Sequence, residues 1–388
     1  MESERTGSPV KASLMACLMN TVPHCSPGSL HLRLQGSGGF CNKEIDVLSL
    51  LKMSFYPDTS ICIFRKSKIS CLHLGGTSLK AIVIRNYGGR DQLQLEDIPA
   101  PSVEKDEVLV KIHATSVNPL DWKVREGMLK GRRDFQFPLI LGWDFSGVVM
   151  DVGEEVSQHY QIGDAVFGMP DLTKNGTYAE YISVKADYLA PKPRNLSHVE
   201  AASIPLVGLT AWQSLVTHGN LQQGEKVLIH AGAGGVGSFA IQLAKHLGAY
   251  VATTVSERNK DFVSELGADE VIDYQKQNFA AQLADFDVVF DTVGGAALEK
   301  SCSVLKPGGR LITIAGSANA SLEERYAIRI DPVEVEPNGQ HMKEILTLLE
   351  NRKIRPVVEQ QYRLDEIRKA HEVSESRHLR GKIGIVVQ

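Results

Sequence analysis

The sequence predicts an α/β fold in which a doubly wound parallel sheet follows a strand-rich region. Three observations predict it. Residues 206–330 alternate short apolar runs with amphipathic helix patterns, the βαβαβ order of a parallel sheet covered by helices on both faces. One of those runs leads into a glycine-rich turn, Ala231–Gly237 (AGAGGVG), and then a helix. Residues 79–205, by contrast, carry apolar runs bounded by Gly, Pro and Asp, as short strands do.

Composition sets the outer limits. The chain has 388 residues, 43% hydrophobic and 23% charged, with a formal net charge of -4. These values suit one large or two medium globular domains and give no reason to expect nucleic acid or a membrane surface as a partner. No apolar run approaches the roughly 20 residues of a membrane-spanning helix.

Residues 1–78 read differently from the rest. They show no sustained helical or alternating period and contain scattered Gly, Ser and Pro, including the turn-like cluster Gly36–Gly39. A secretory signal should open with basic residues, but Glu2 and Glu4 come first; a transit peptide should be Arg-rich, but only Arg5 and Lys11 fall in the first thirty residues. The expectation is a non-native or disordered leader, with the native protein starting at or near Leu79 from a non-ATG codon. Cys17, Cys25, Cys41, Cys62 and Cys71 lie in this leader, spaced too widely for a structural zinc site. Cys302 alone follows, so the body predicts a reduced, cytoplasmic setting.

From residue 79 the elements follow in order. Ala81–Arg85, Glu107–Ala114, Ile140–Val152 and Ala165–Gly168 read as strands of the first region. In the second, Lys226–His230, Tyr250–Val255, Glu270–Tyr274, Asp287–Asp291 and Arg310–Ala315 are strand-like, with helices at Val236–Leu247 and Arg258–Leu266 between them. The third, residues 331–388, holds two helical stretches, Gln340–Arg352 and Leu364–Ser376, and a closing strand, Lys382–Val387.

The turn carries the first functional signal. Gly232, Gly234 and Gly237 satisfy G-x-G-x-x-G after a strand and before a helix, and with Ala233, Gly235 and Val236 they form a candidate pyrophosphate cradle. Glycine allows the tight bend and the close backbone approach, and the helix start offers free N–H groups to phosphates. The next strand selects the dinucleotide. NAD enzymes place a carboxylate at its end to bind the ribose 2′-OH, but here the end is Thr254 or Val255. Ser256 can donate a hydrogen bond, and Arg258 or Lys260 can neutralise a 2′-phosphate. Glu257 counts against this unless it faces solvent. The pattern predicts NADPH rather than NADH.

Further stretches, in order, are Lys80–Val83 (KAIV), Ser116–Asp121 (SVNPLD), Phe137–Gly142 (FPLILG), Asp144–Gly147 (DFSG), Gly163–Gly168 (GDAVFG), Gly176–Tyr181 (GTYAEY), Leu266–Asp269 (LGAD), Lys306–Gly309 (KPGG) and Gly381–Ile383 (GKI). Together with the turn they resemble the zinc-independent quinone oxidoreductase and enone reductase branch of the medium-chain dehydrogenase/reductases. The resemblance covers nearly all of 79–388. It implies a GroES-like catalytic domain from 79–205 and 331–388, a Rossmann NADPH-binding domain from 206–330, and a homodimer. It also implies cofactor contacts from Tyr274, near the adenosine phosphate, and from Lys382 on the closing strand.

The zinc branch of that superfamily places a Cys and a Gly-His-Glu motif at its catalytic metal. This chain resembles it at those places with Asn118 and with Gly142-Trp143-Asp144, which offer neither thiolate nor imidazole. No metal is expected. Without a Lewis acid the expected substrates are ready hydride acceptors, quinones or the C=C bond of α,β-unsaturated carbonyls. Asn118, whose amide both donates and accepts, is the first candidate catalytic group. Lys123 is the second; several quinone reductases that resemble this chain have Tyr there, and an ammonium could stabilise an enolate or donate a proton. Trp122 and Trp143 are candidates to line an apolar pocket, with core packing the stronger reading for Trp143. Asp144 reads as a buried polar anchor. The alternative function is an NADPH-binding protein with a regulatory or structural role and little turnover.

Overall fold

The computed structural model describes residues 29–36, 39–46, 78–133, 135–156 and 159–387. In the leader, Ser29–Gly36 pairs antiparallel with Gly39–Asp46, in register from Ser29 opposite Asp46 to Gly36 opposite Gly39. This ribbon is a regular element where the sequence shows no clear alternation. The remainder of residues 1–77, on which the expectation of a disordered or non-native leader falls, lies outside the described residues.

From Ser78 onward the chain is organised by three sheets. The first functional one has six strands in the order Glu270–Asp273, Tyr250–Val255, Lys226–His230, Phe286–Asp291, Leu305–Thr313, Arg329–Pro332. All its pairings are parallel. Its central strands are buried along almost their whole length, Phe286–Asp291 at every position, because helices cover both faces. Chain order reverses between Lys226–His230 and Phe286–Asp291, and the crevice at the carboxyl ends of these strands is where open α/β sheets bind ligands.

A seven-stranded sheet runs Leu189–Pro191, Ala165–Gly168, Phe145–Val152, Glu107–Val117, Lys382–Val386, Val358–Arg363, with Tyr181–Lys185 also paired to Glu107–Val117. Its strands therefore come from two separated stretches of chain. The pairing of Val358–Arg363 with Lys382–Val386 is parallel, and the helix Ile367–Glu375 lies between them in sequence. The strand Val358–Arg363 is an element the sequence reading lacks, because its burial alternates and its exposed side is polar.

The run Ile140–Val152, read as one strand, is two. Leu139–Ile140 pairs with Val83 and Ile84 in a three-stranded sheet, whereas Phe145–Val152 belongs to the seven-stranded one. Residues 141–144 cross between them. The cause is local: Gly142 has φ +94°, and a Cβ there would lie 2.6 Å from Thr177 Oγ1. The carbonyls freed by the crossing are satisfied by the N–H groups of Gly176, Thr177 and Tyr178. The helix read as Arg258–Leu266 also divides, into a 3₁₀ turn at Glu257–Asn259 and an α-helix at Lys260–Glu265.

Candidate active site

The glycine-rich turn leaves the carboxyl end of Lys226–His230, beside the reversal of strand order, and opens the helix Gly235–His246 with Gly234 at its N-cap. The glycines differ in what they make room for. A Cβ on Gly237 would lie 2.4 Å from the Ala231 carbonyl, and one on Gly232 would lie 2.1 Å from Thr253 Oγ1, so both are required by packing. A Cβ on Gly234 would meet nothing closer than the Ala231 carbonyl at 3.5 Å. The protein itself does not need glycine there. A ligand lying against the backbone does, so this cradle fits a pyrophosphate. Ala233 and Val236 complete the turn, and the Ala233 carbonyl accepts from the N–H of Gly381 at 2.8 Å.

That bond brings the closing strand to the turn. A Cβ on Gly235 would lie 2.8 Å from Lys382 Cδ, so the lysine stem lies against the turn. Its Nζ reaches Asp144 Oδ2 at 3.0 Å and the side-chain Oδ1 of Asn118, and Lys382 is only 4% exposed. Asp144 is the centre of this cluster. Its Oδ2 also accepts from Ser116 Oγ (2.5 Å) and Asn118 Nδ2 (2.7 Å), and its Oδ1 accepts from the backbone N–H of Leu206 (2.6 Å). Asn118, fully buried, thus turns its oxygen to Lys382 and its nitrogen to Asp144.

Behind Asn118 runs a second buried chain. The helix Pro119–Arg125 begins as a capping box, with the Asn118 N–H donating to Asp121 Oδ2 at 2.7 Å. Tyr178 donates to the same oxygen at 2.6 Å. His371 faces Tyr178 through Nε2 (3.3 Å) and Arg125 Nη1 through Nδ1 (3.0 Å). The guanidinium can only donate, so Nδ1 accepts and Nε2 carries the proton. Burial raises the Asp121 pKa to about 7 against the lowering effect of its two hydrogen bonds and Lys382. Burial first, then Arg125, lowers that of His371 to about 3.

Lys123 stands apart from this network, on the outward face of the Pro119–Arg125 helix. Its ammonium lies 5.9 Å from the Trp122 ring centroid, and the Arg377 guanidinium lies 5.6 Å from the same ring. Partial burial of the ammonium, then Arg377, lowers its pKa from the ordinary lysine value. Trp143 is fully buried against Phe135, as core packing requires, and Trp122 is 4% exposed.

After the next strand, Tyr250–Val255, Ser256 precedes the 3₁₀ turn and accepts from Asn259 Nδ2 at 3.3 Å. Arg258 donates to the His378 carbonyl at 2.8 Å, with its side chain at the surface. Glu257 is paired with Lys260 and Lys276, which takes it away from Arg258. Tyr274 is 59% exposed, and its N–H donates to the Val255 carbonyl at 3.1 Å, so it sits beside the end of the neighbouring strand. Sequence reasoning missed Arg380, which donates to the Arg258 carbonyl (2.7 Å) and to Asn259 Oδ1 (2.8 Å). The basic run Arg377–Lys382 was the available signal. It also missed Ser116 and the central place of Asp144. Among the described residues no group of three or more His, Cys, Asp or Glu is placed to hold a metal.

Comparisons with known proteins bear on the family and the fold. Residues 104–194 match the alcohol dehydrogenase GroES-like domain, 266–385 the zinc-binding dehydrogenase family, and 211–299 the C-terminal domain of alanine dehydrogenase/PNT. The chain is 36% identical over 320 residues to the 2-methylene-furan-3-one reductase of Solanum lycopersicum, covering 80% of this chain and 79% of that one. It is 35% identical over 316 residues to the NADPH-dependent alkenal/one oxidoreductase, chloroplastic, of Arabidopsis thaliana, covering 79% and 78%. The solved quinone oxidoreductase of Coxiella burnetii superposes with a TM-score of 0.75 at 36% identity, over 80% of this chain and 100% of that one. With its GroES-like region, its parallel cofactor-type sheet and relatives of this kind, the chain belongs to the medium-chain dehydrogenase/reductase superfamily, in the branch of the quinone oxidoreductases and enone reductases.

Proposed function

We propose that this chain is an NADPH-dependent, zinc-independent oxidoreductase that reduces quinones or the C=C bond of α,β-unsaturated carbonyls. The observation that carries the reading is the span of Lys382, whose stem lies on the glycine-rich turn and whose ammonium reaches Asn118 and Asp144. It joins a phosphate cradle and a polar cluster into one cleft.

In this reading the N–H groups at the start of the helix Gly235–His246 hold the pyrophosphate. Ser256 and Arg258 bind the 2′-phosphate, with Arg380 adding positive charge beside them. Tyr274 packs at the adenosine end, and Lys382 contacts the cofactor from the closing strand. Bound NADPH supplies a hydride to the electron-poor carbon of the acceptor. Lys123 then stabilises the oxygen on which charge collects and delivers a proton, for which its lowered pKa suits it. Asn118 orients groups at the nicotinamide end. The zinc-independent assignment rests on donor chemistry: the two ligand positions hold an amide already bonded to Asp144 and Lys382 and a buried indole. A homodimer is proposed from the family. The cytoplasm remains the proposed compartment, although the Arabidopsis relative is named chloroplastic; fractionation of native cells decides it.

Purified protein is to be incubated with NADPH and a panel of methyl vinyl ketone, 2-alkenals and 9,10-phenanthrenequinone, following nicotinamide absorbance. Consumption with at least one acceptor is expected. Lys123→Ala should lower kcat about tenfold or more while leaving NADPH affinity within about twofold. Tight NADPH binding without turnover across the panel would favour the regulatory or structural reading, and unchanged turnover would remove Lys123 from the mechanism.

A further inference from the structure

Asp144 lies in the crossing between two sheets, is fully buried, and faces four donors: Ser116 Oγ, Asn118 Nδ2, Lys382 Nζ and the Leu206 N–H. Among the described residues no acceptor faces its carboxylate. A carboxylate satisfies such a ring with both oxygens. A carboxamide beside Lys382 cannot: with its oxygen on the Leu206 N–H its NH₂ confronts the ammonium, and with its oxygen on the ammonium it confronts the Leu206 N–H. Once Lys382 is gone the first orientation is open, because the Ser116 hydroxyl can accept and the Asn118 amide can turn. We propose that Asp144 is the positioning residue of the site: its carboxylate fixes the Lys382 ammonium and the Asn118 amide relative to each other, and Leu206 ties both to the helix Pro205–Trp212.

The four partners come from three distant parts of the chain; three meet Oδ2 and the Leu206 N–H meets Oδ1. Ser116 and Asn118 lie at the end of Glu107–Val117 and just beyond it, Leu206 lies on the helix Pro205–Trp212, and Lys382 begins the closing strand. Asn118 shows the consequence. Its oxygen points to Lys382 only because its nitrogen is turned to Asp144, so the charge of Asp144 sets the polarity of the amide as well as the place of the cation. Removing that charge frees the amide to flip and leaves the Lys382 ammonium buried without a counter-charge. Among the described residues Asp121 also lies near Lys382, and Tyr178 is bonded to Asp121. Asp121 already accepts from the Asn118 N–H and from Tyr178, so neither replaces Asp144 at Nζ.

The inference rests on the reading that this cleft binds NADPH beside Lys382, and the test separates the two. NADPH affinity is to be titrated by nicotinamide fluorescence for wild type, Asp144→Asn, Lys382→Met and the double variant, with Tm recorded for each. Asp144→Asn should bind at least about tenfold more weakly than wild type, because the Lys382 ammonium is left buried without a counter-charge. Lys382→Met should also be weak. The double variant holds no unpaired buried cation and should fold and bind within about twofold of Lys382→Met. If Asp144→Asn does not fold, that comparison between the double variant and Lys382→Met carries the test.

A double variant more than about fivefold weaker than Lys382→Met, or one that does not fold, would assign Asp144 a role independent of Lys382 and overturn the proposal. So would an Asp144→Asn protein that binds NADPH within about twofold of wild type. Failure of wild type to bind NADPH at all would instead overturn the cofactor reading on which the proposal stands.

Discussion

Arg258 lies at the surface, where among the described residues its side chain donates only to a carbonyl, while the nearby carboxylate of Glu257 is held by two lysines. Its charge is therefore available to a dianionic phosphate. Arg258→Asp should weaken NADPH at least about tenfold, roughly 1.4 kcal/mol, and leave NADH almost unchanged, as parallel titrations would show. An equal loss for both cofactors would defeat the 2′-phosphate assignment. Arg258 was legible because it follows the strand end that decides cofactor type. Asp144 was legible only as a buried anchor. Its four donors are contributed by residues 116, 118, 206 and 382, and no local spacing announces their meeting. Lys382 posed the same difficulty: a lysine at the start of a strand looks like a surface residue until its partner is known.

The strand–turn–helix unit gives the sharpest test of how an element divides its work. Gly237 and Gly234 belong to one motif but answer to different neighbours. Gly237→Ala would force a Cβ within 2.4 Å of the Ala231 carbonyl, and overpacking of this kind costs about 1–3 kcal/mol. Gly234→Ala has room and should leave stability within about 0.5 kcal/mol, yet reduce NADPH affinity about tenfold or more. Denaturant melts beside cofactor titrations check both; a Gly234→Ala protein that binds NADPH normally would remove the turn from the site. The strands of the parallel sheet were legible because each is a short apolar run closed by turn residues. Residues 140–152 were joined wrongly because hydrophobic character is continuous across a bend that depends on the left-handed backbone of Gly142 and on contacts from Thr177 and Tyr178.

Across the whole molecule, buried titratable groups set an acid limit. Burial lowers the pKa of His371 to about 3 and those of His230 and His198 to about 4. Between pH 6.5 and these values the unfolded chain binds protons that the folded chain refuses, so stability is lost as pH falls through that window. Asp121 acts in the opposite sense. Its carboxyl, raised to about 7, keeps a proton that the unfolded chain releases above about pH 4, so its contribution is present in acid and lost as pH rises towards 7. Three imidazoles outweigh one carboxyl, and Tm should fall between pH 6.5 and pH 4. Asp121→Asn, which can still accept from Asn118 and Tyr178, should raise Tm at pH 8 and steepen the acid loss. A Tm independent of pH in both proteins would show that these groups titrate alike folded and unfolded. No sequence pattern signals such shifts, because they arise from the depth at which each ring or carboxyl is enclosed.

The strand Lys382–Val386 lies inside the seven-stranded sheet, between Glu107–Val117 and Val358–Arg363. During synthesis, the earlier strands must wait with an unpaired edge until residues more than two hundred and fifty positions later leave the ribosome. The same segment delivers Gly381 to the turn and Lys382 to Asp144. Closing the sheet and arming the cleft are thus one late event, and a ribosome stalled before residue 381 would hold a nascent chain with neither.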